Sequence, residues 1–200
     1  MTSRRHLLIA LGGSVLAEPA ARAATVADGQ LLDSNFFPDA TVVQGQMLLL
    51  NGAGPAYAMG LKTINVGIYV ARRHKTLDGL IAEKGPKRID FFFLRDASAR
   101  DTSNAMLDRM RQNITREEFG ANIMALAQLG GAFGARKRFS RGDQISLDYS
   151  PGTQSTDFFL NHAKFGDTIP GETFYGMLLK VFVGPGVRER DALFGNATEP

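Results

Sequence analysis

Apolar and polar residues alternate with period two through residues 62–70: Ile64, Val66, Ile68 and Val70 face one way, and Thr63, Asn65, Gly67 and Tyr69 the other. This pattern predicts a strand with one oily face, whose small, polar reverse suits a ligand or a second layer rather than open water. Residues 41–50 read as an earlier strand, reached through a lead-in at 29–37, and Pro55 reads as a turn after Gly52-Ala53-Gly54, taken as a tight connection between strands. Residues 88–94 form a further strand, and the unbroken apolar run Phe91-Phe92-Phe93-Leu94 implies burial on both faces. A short helix-compatible stretch at 77–84 precedes it, ended by Gly85-Pro86.

Past residue 100 the period changes to that of helices. Met106, Met110 and Ile114 recur every four residues, and Thr115 with Glu118 makes a capping box ahead of Phe119, Ile123 and Leu126. Two consecutive helices are expected, the second ended by Gly130-Gly131 and Gly134. Period two returns at Ile145, Leu147 and Tyr149, turns at Ser150-Pro151-Gly152-Thr153, continues through Thr156, Phe158 and Leu160, and turns again at Asn161-His162 to give a three-strand meander. A last helix from about Glu172 to Val183 carries Phe174, Leu178 and Val181 on one face, Gly184-Pro185 stops it, and a short helical tail follows at 188–194. Strands, helices, meander and helices in this order give an α+β fold with a largely antiparallel sheet and no internal repeat.

The first residues change the picture of location and charge. Arg4-Arg5 precede an apolar stretch at 7–16 that is too short to span a bilayer, and Ala21-Arg22-Ala23 supplies the small residues a signal peptidase reads. Residues 1–23 are therefore expected to be a Tat-like export signal, although a Sec signal also carries basic residues, and residues 24–200 a single periplasmic domain with no remaining membrane span. The net charge of +3 falls close to zero once Arg4, Arg5 and Arg22 leave with Glu18. Nucleic acid is not an expected partner. Basic clusters at Arg72-Arg73-His74-Lys75 and Arg136-Lys137-Arg138 read as solvated turns. With no cysteine, the exported chain depends on its core for stability and has no thiolate metal site. His6, His74 and His162 are not placed as catalytic bases, and no cofactor or metal is expected.

One ordered set of short landmarks carries a resemblance: Asn51-Gly52-Ala53-Gly54, Gly67-Ile68-Tyr69-Val70, Gly85-Pro86-Lys87-Arg88-Ile89, Phe93-Leu94-Arg95-Asp96, Ser150-Pro151-Gly152-Thr153, Ile169-Pro170-Gly171 and Leu193-Phe194-Gly195. Together they resemble the chalcone isomerase-like family from about residue 31 onward. The resemblance implies a long curved antiparallel sheet covered by a layer of helices, with a ligand cleft between them. Its enzyme members close a ring within a chalcone, which requires a cation opposite the phenolate and donors at the ketone oxygen.

Mapped onto this chain, the arginine position is Ala56 and the ketone-polarising threonine is Ile64. The catalytic tyrosine falls at Phe119, the neighbouring lysine at Asn122, the cleft asparagine at Leu126 and the hydroxyl of the last helix at Tyr175. No fixed positive group is expected in the hollow. Arg95 is expected to serve a structural ion pair or backbone carbonyls, and Lys62 to face solvent. The cleft implied by this mapping is lined by Tyr57, Thr63, Asn65, Phe119, Asn122, Ile123 and Tyr175, apolar with a few neutral donors, although plain core packing is the first reading of the aromatics. The expected function is a binding protein without isomerase chemistry for a small apolar or amphipathic molecule, fatty-acid-like or flavonoid-like. The alternatives are an intramolecular lyase with a rearranged site, using Tyr57, Asn122 and Tyr175 as donors, and a module that binds another envelope protein.

Overall fold

In the computed structural model, which describes residues 28–58 and 60–195, the alternating segments pair into one curled, eight-stranded antiparallel sheet. The expected export signal, residues 1–23, lies outside the described residues. Along the sheet the order is β11 (Ala163–Lys164), β10 (Ser155–Leu160), β9 (Gln144–Ser150), β6 (Lys87–Phe93), β5 (Leu61–Val70), β4 (Gln46–Ala58) and β3 (Ala40–Val43), with β12 (Ile169–Pro170) on β10. Two short antiparallel pairs stand apart from it: the hairpin of β1 (Gly29–Leu32) with β2 (Asn35–Pro38), and β7 (Ala97–Ser98) with β8 (Arg138–Phe139).

Helices α1 (Leu77–Ala82), α2 (Ala99–Asn113), α3 (Arg116–Ala121), α4 (Ile123–Gly134) and α5 (Glu172–Val183) accompany the sheet, and a 3-10 turn at Arg190–Phe194 ends the described chain. The core between sheet and helices contains Val66, Ile68, Ile89, Phe158, Phe174 and Leu178, all fully buried. Each such side chain contributes on the order of 1.5–3 kcal/mol through burial. The other face of the sheet has its own smaller core, where Phe37 from β2 covers Leu48, Leu50 and Tyr69. Gly67 permits this approach, because a Cβ there would lie 2.5 Å from the Phe37 ring. The second layer expected behind β5 is therefore the β1–β2 pair, formed by the residues read as a lead-in.

Three local expectations are corrected. Residues 41–50 are two strands, β3 and the start of β4, joined by Gln44-Gly45 with φ of 51° and 77°, the two left-handed residues that a tight hairpin turn requires. The segment Gly52-Ala53-Gly54-Pro55 is neither turn nor connection; it lies inside the thirteen-residue β4, where register shifts at Leu50/Gly52 and Ala56/Tyr57 bend the strand. Those glycines make room for the C-terminal turn: a Cβ at Gly52 would sit 2.3 Å from the Ala192 carbonyl oxygen, and one at Gly54 2.7 Å from the Ala192 Cβ. Finally, the helix that starts at the capping box of Thr115 and Glu118 breaks at Asn122, and α4 then runs through Gly130 and Gly131 as far as Gly134.

Candidate functional site

A cleft of about 750 Å3 lies between the helix-facing side of β4–β6 and helix α2. Ala56, Ile64, Phe91 and Phe93 supply the strand wall, Met106 and Arg109 come from α2, and Val181 and Phe182 from α5. The wall is set by alternation along β6, which sends Ile89, Phe91 and Phe93 toward the helices. Its aromatic rings brace one another: Phe93 stacks on Phe139 at 4.8 Å, and Phe91 meets Phe93 at 5.7 Å and Phe182 at 5.9 Å. An apolar molecule would therefore meet a fixed aromatic surface.

Two guanidinium groups belong to the lining, which corrects the expectation of a hollow without a cation. Arg109 reaches it from α2, one helical turn past Met106 and on the same face. Its charge is already committed. Nη2 donates to Glu189 Oε1 at 2.7 Å and to the Tyr57 carbonyl at 2.8 Å, and Nη1 donates to the Val181 carbonyl at 3.2 Å. Burial pushes the Glu189 carboxyl upward, but the Arg109 hydrogen bond and charge outweigh it and hold the group below its ordinary value. Arg95 stands at the mouth, exposed and without an ion-pair or hydrogen-bond partner among the described residues, contrary to its expected structural role. Asp96 beside it pairs with Arg138 instead. Lys62, expected in solvent, pairs with Asp33 at 2.6 Å.

The hydroxyls around the cleft are mostly engaged. Thr63 Oγ1 donates to the Ala56 carbonyl at 3.3 Å, Thr102 Oγ1 donates to the Ser98 carbonyl at 3.0 Å, and Ser98 Oγ accepts from Asp101 N at 3.0 Å. Tyr57 sits at the rim, 42% exposed. The arrangement can surround an apolar body and offer a cation at the entrance, yet it aims no free charge at the interior.

Of the seven site residues read from the sequence, the structure brings only Tyr57 and Thr63 to the cleft. Asn65 is fully buried on the opposite face of the sheet, where its Nδ2 donates to the Leu32 carbonyl at 3.0 Å and to Asp33 Oδ2 at 2.9 Å, pinning the β1–β2 pair. Tyr175 lies in the core, its hydroxyl donating to the Leu147 carbonyl at 3.2 Å, and burial raises its pKa well above the usual phenol value. Phe119 borders a separate depression with Arg111, Ile114, Thr115 and Arg116, and the Arg111 guanidinium lies 5.7 Å from its ring centre. Asn122 joins α3 to α5 by donating to the Glu118 carbonyl and accepting from Thr173 Oγ1, and Ile123 is exposed on α4. Ala56 and Ile64 do line the cleft, and both side chains are aliphatic. Arg109, Phe91, Phe93, Met106 and Phe182 were not singled out as site residues. The three-residue spacing of Met106 and Arg109 was the available signal for the first.

The family profile described as chalcone isomerase-like matches residues 32–191. The chain belongs to the chalcone isomerase-like family. No curated protein matches it in sequence. Among solved structures it is similar to the Arabidopsis thaliana fatty-acid binding protein AtFAP1, with a TM-score of 0.65 over 84% of this chain and 96% of that one at 14% identity. At that identity the likeness establishes a shared chalcone isomerase-like fold.

Proposed function

We propose that this chalcone isomerase-like protein is an exported, periplasmic binding protein without isomerase chemistry, which holds a small amphipathic molecule of fatty-acid-like or flavonoid-like character in the cleft of α2 and β4–β6. The observation that carries the reading is the pairing of an aromatic wall, Phe91 and Phe93, with aliphatic side chains at Ala56 and Ile64. Burial against such a wall supplies binding energy of roughly 25 cal/mol per Å2 of apolar surface covered. Removal of a single oxyanion donor costs about a hundredfold or more in rate, and here Arg109 is held by Glu189 and two backbone carbonyls while the Thr63 and Thr102 hydroxyls donate to carbonyls, which leaves ring closure little beyond confinement. The fatty-acid binding named for the similar plant structure agrees with this ligand class.

Mass spectrometry after denaturing extraction of the purified protein is expected to reveal a co-purifying amphiphile, and fatty acids or flavonoids are expected to raise its melting temperature. A protein that carries nothing and shows no thermal shift with either class contradicts the proposal. The second reading, a lyase with a rearranged site, draws on Arg109 in the cleft lining. A hydroxylated chalcone should cyclise in the presence of the protein at the spontaneous rate to racemic product. A faster, stereoselective reaction would establish the lyase instead.

A further inference from the structure

Six exposed cations gather on one side of the cleft mouth. Arg95 and Arg100 flank β7, while Arg138 opens β8 and Arg136, Lys137 and Arg141 flank it. The two segments are held together by the pairs Ala97↔Phe139 and Ser98↔Arg138 and by Ala99 N donating to the Lys137 carbonyl at 3.2 Å. Three carboxylates accompany them, and two are engaged locally. Asp96 takes the Arg138 guanidinium and the Arg141 amide, and Asp143 accepts from Ser140 N at 2.8 Å and Asn161 Nδ2 at 2.9 Å. Asp101 lies in the first turn of α2, where a carboxylate complements the helix dipole. Arg95, Arg100, Arg136, Lys137 and Arg141 therefore have no ion-pair partner among the described residues. Such a collar is more than the solvated turn read from Arg136-Lys137-Arg138 alone.

Its position gives it meaning. Arg95 and Asp96 line the same cleft as Tyr57 and Leu61, which stand 42% and 51% exposed at the end of the β4–β5 hairpin. Cations beside exposed apolar side chains, around the entrance to an apolar hollow, match the boundary between headgroups and acyl chains of an anionic bilayer. An acidic protein or a polynucleotide would use the cations and leave the apolar rim unmatched. We propose that this face docks on an anionic lipid surface, so that the cleft opens onto the membrane. No described helix is long and apolar enough to cross a bilayer, so the attachment is peripheral. The choice of partner rests on the amphiphile-binding reading above, but the test reads surface attachment without any ligand.

Co-sedimentation of the full chain with phosphatidylcholine vesicles, with and without phosphatidylglycerol, tests the proposal. Each variant is compared with its parent on the same vesicles, so residues 1–23 contribute equally. The triple variant Arg136→Gln, Lys137→Gln, Arg141→Gln should bind phosphatidylglycerol vesicles about tenfold or more weakly, and rising salt should release the parent. Leu61→Asp should weaken vesicle binding while leaving retention on heparin unchanged. All four side chains are exposed, and unchanged melting temperatures verify that the variants fold. Full vesicle binding by the triple variant would overturn the proposal. So would a Leu61→Asp protein that binds vesicles normally, which would mark the collar as a general polyanion site. A protein that docks yet takes up no amphiphile upholds this inference and refutes the binding reading; one that binds amphiphiles in solution and ignores vesicles does the reverse.

Discussion

Asp90 illustrates how one side chain makes this fold sensitive to pH. It is 6% exposed on β6, on the side of the sheet away from the helices, and its Oδ1 has no hydrogen-bond partner. Burial raises its pKa to about 6, even though a hydrogen bond with Ser146 and the Arg88 guanidinium, 3.8 Å away, both favour the charged form. In the unfolded chain the same group has its ordinary value, 3.8. Between these values the native protein holds a proton that the unfolded chain has released, so stability falls as pH rises through the window and stays lower above it. Asp90→Asn is expected to raise the unfolding free energy by about 1–3 kcal/mol near pH 8 and by almost nothing below about pH 4. Urea unfolding at both pH values measures this, and an equal gain at the two would show that charge burial is not the cause.

At the scale of elements, the C-terminal 3-10 turn is seated on β4 by two missing side chains. Gly52→Ala would place a methyl group 2.3 Å from the backbone oxygen of Ala192, which cannot swing aside as a flexible side chain would. A loss of about 1–3 kcal/mol in unfolding free energy is expected, whereas Gly130→Ala, inside α4 with open space around it, should be neutral or stabilising. Unfolding curves of the two variants decide it; equal effects would contradict the seating role.

Strand β5, the meander and helix α5 were legible because their periodicity runs unbroken, and β6 because an apolar run follows the Gly85-Pro86 break. The hairpin at Gln44-Gly45 was hidden by Val42-Val43 and Met47–Leu50, whose apolar character runs almost straight across the turn. Asn65 was assigned correctly to the polar side of β5, but nothing local reveals that the β1–β2 pair covers that side. Tyr175 was placed in the cleft by the family mapping, whereas α5 is buried nearly all round: Phe174, Tyr175, Met177, Leu178 and Leu179 are all buried. Arg109 could be placed by its spacing from Met106, whereas its neutralisation by Glu189 depends on a contact eighty residues away.

Over the whole molecule, the curled sheet keeps an aromatic wall facing α2 while its reverse is closed by a second small core. The cleft on the helix side carries Tyr57, Leu61 and Arg95 in its lining, and the proposed function makes this mouth the way in for an amphiphile. A side chain at Ala56 large enough to fill the hollow should abolish entry without touching the mouth. Calorimetric titration of a long-chain fatty acid into the parent protein and an Ala56→Phe variant of unchanged melting temperature measures this directly. Saturable binding by the parent, weakened about tenfold or more in the variant, is the predicted result; no saturable binding by the parent, or equal affinity in both proteins, would contradict the account.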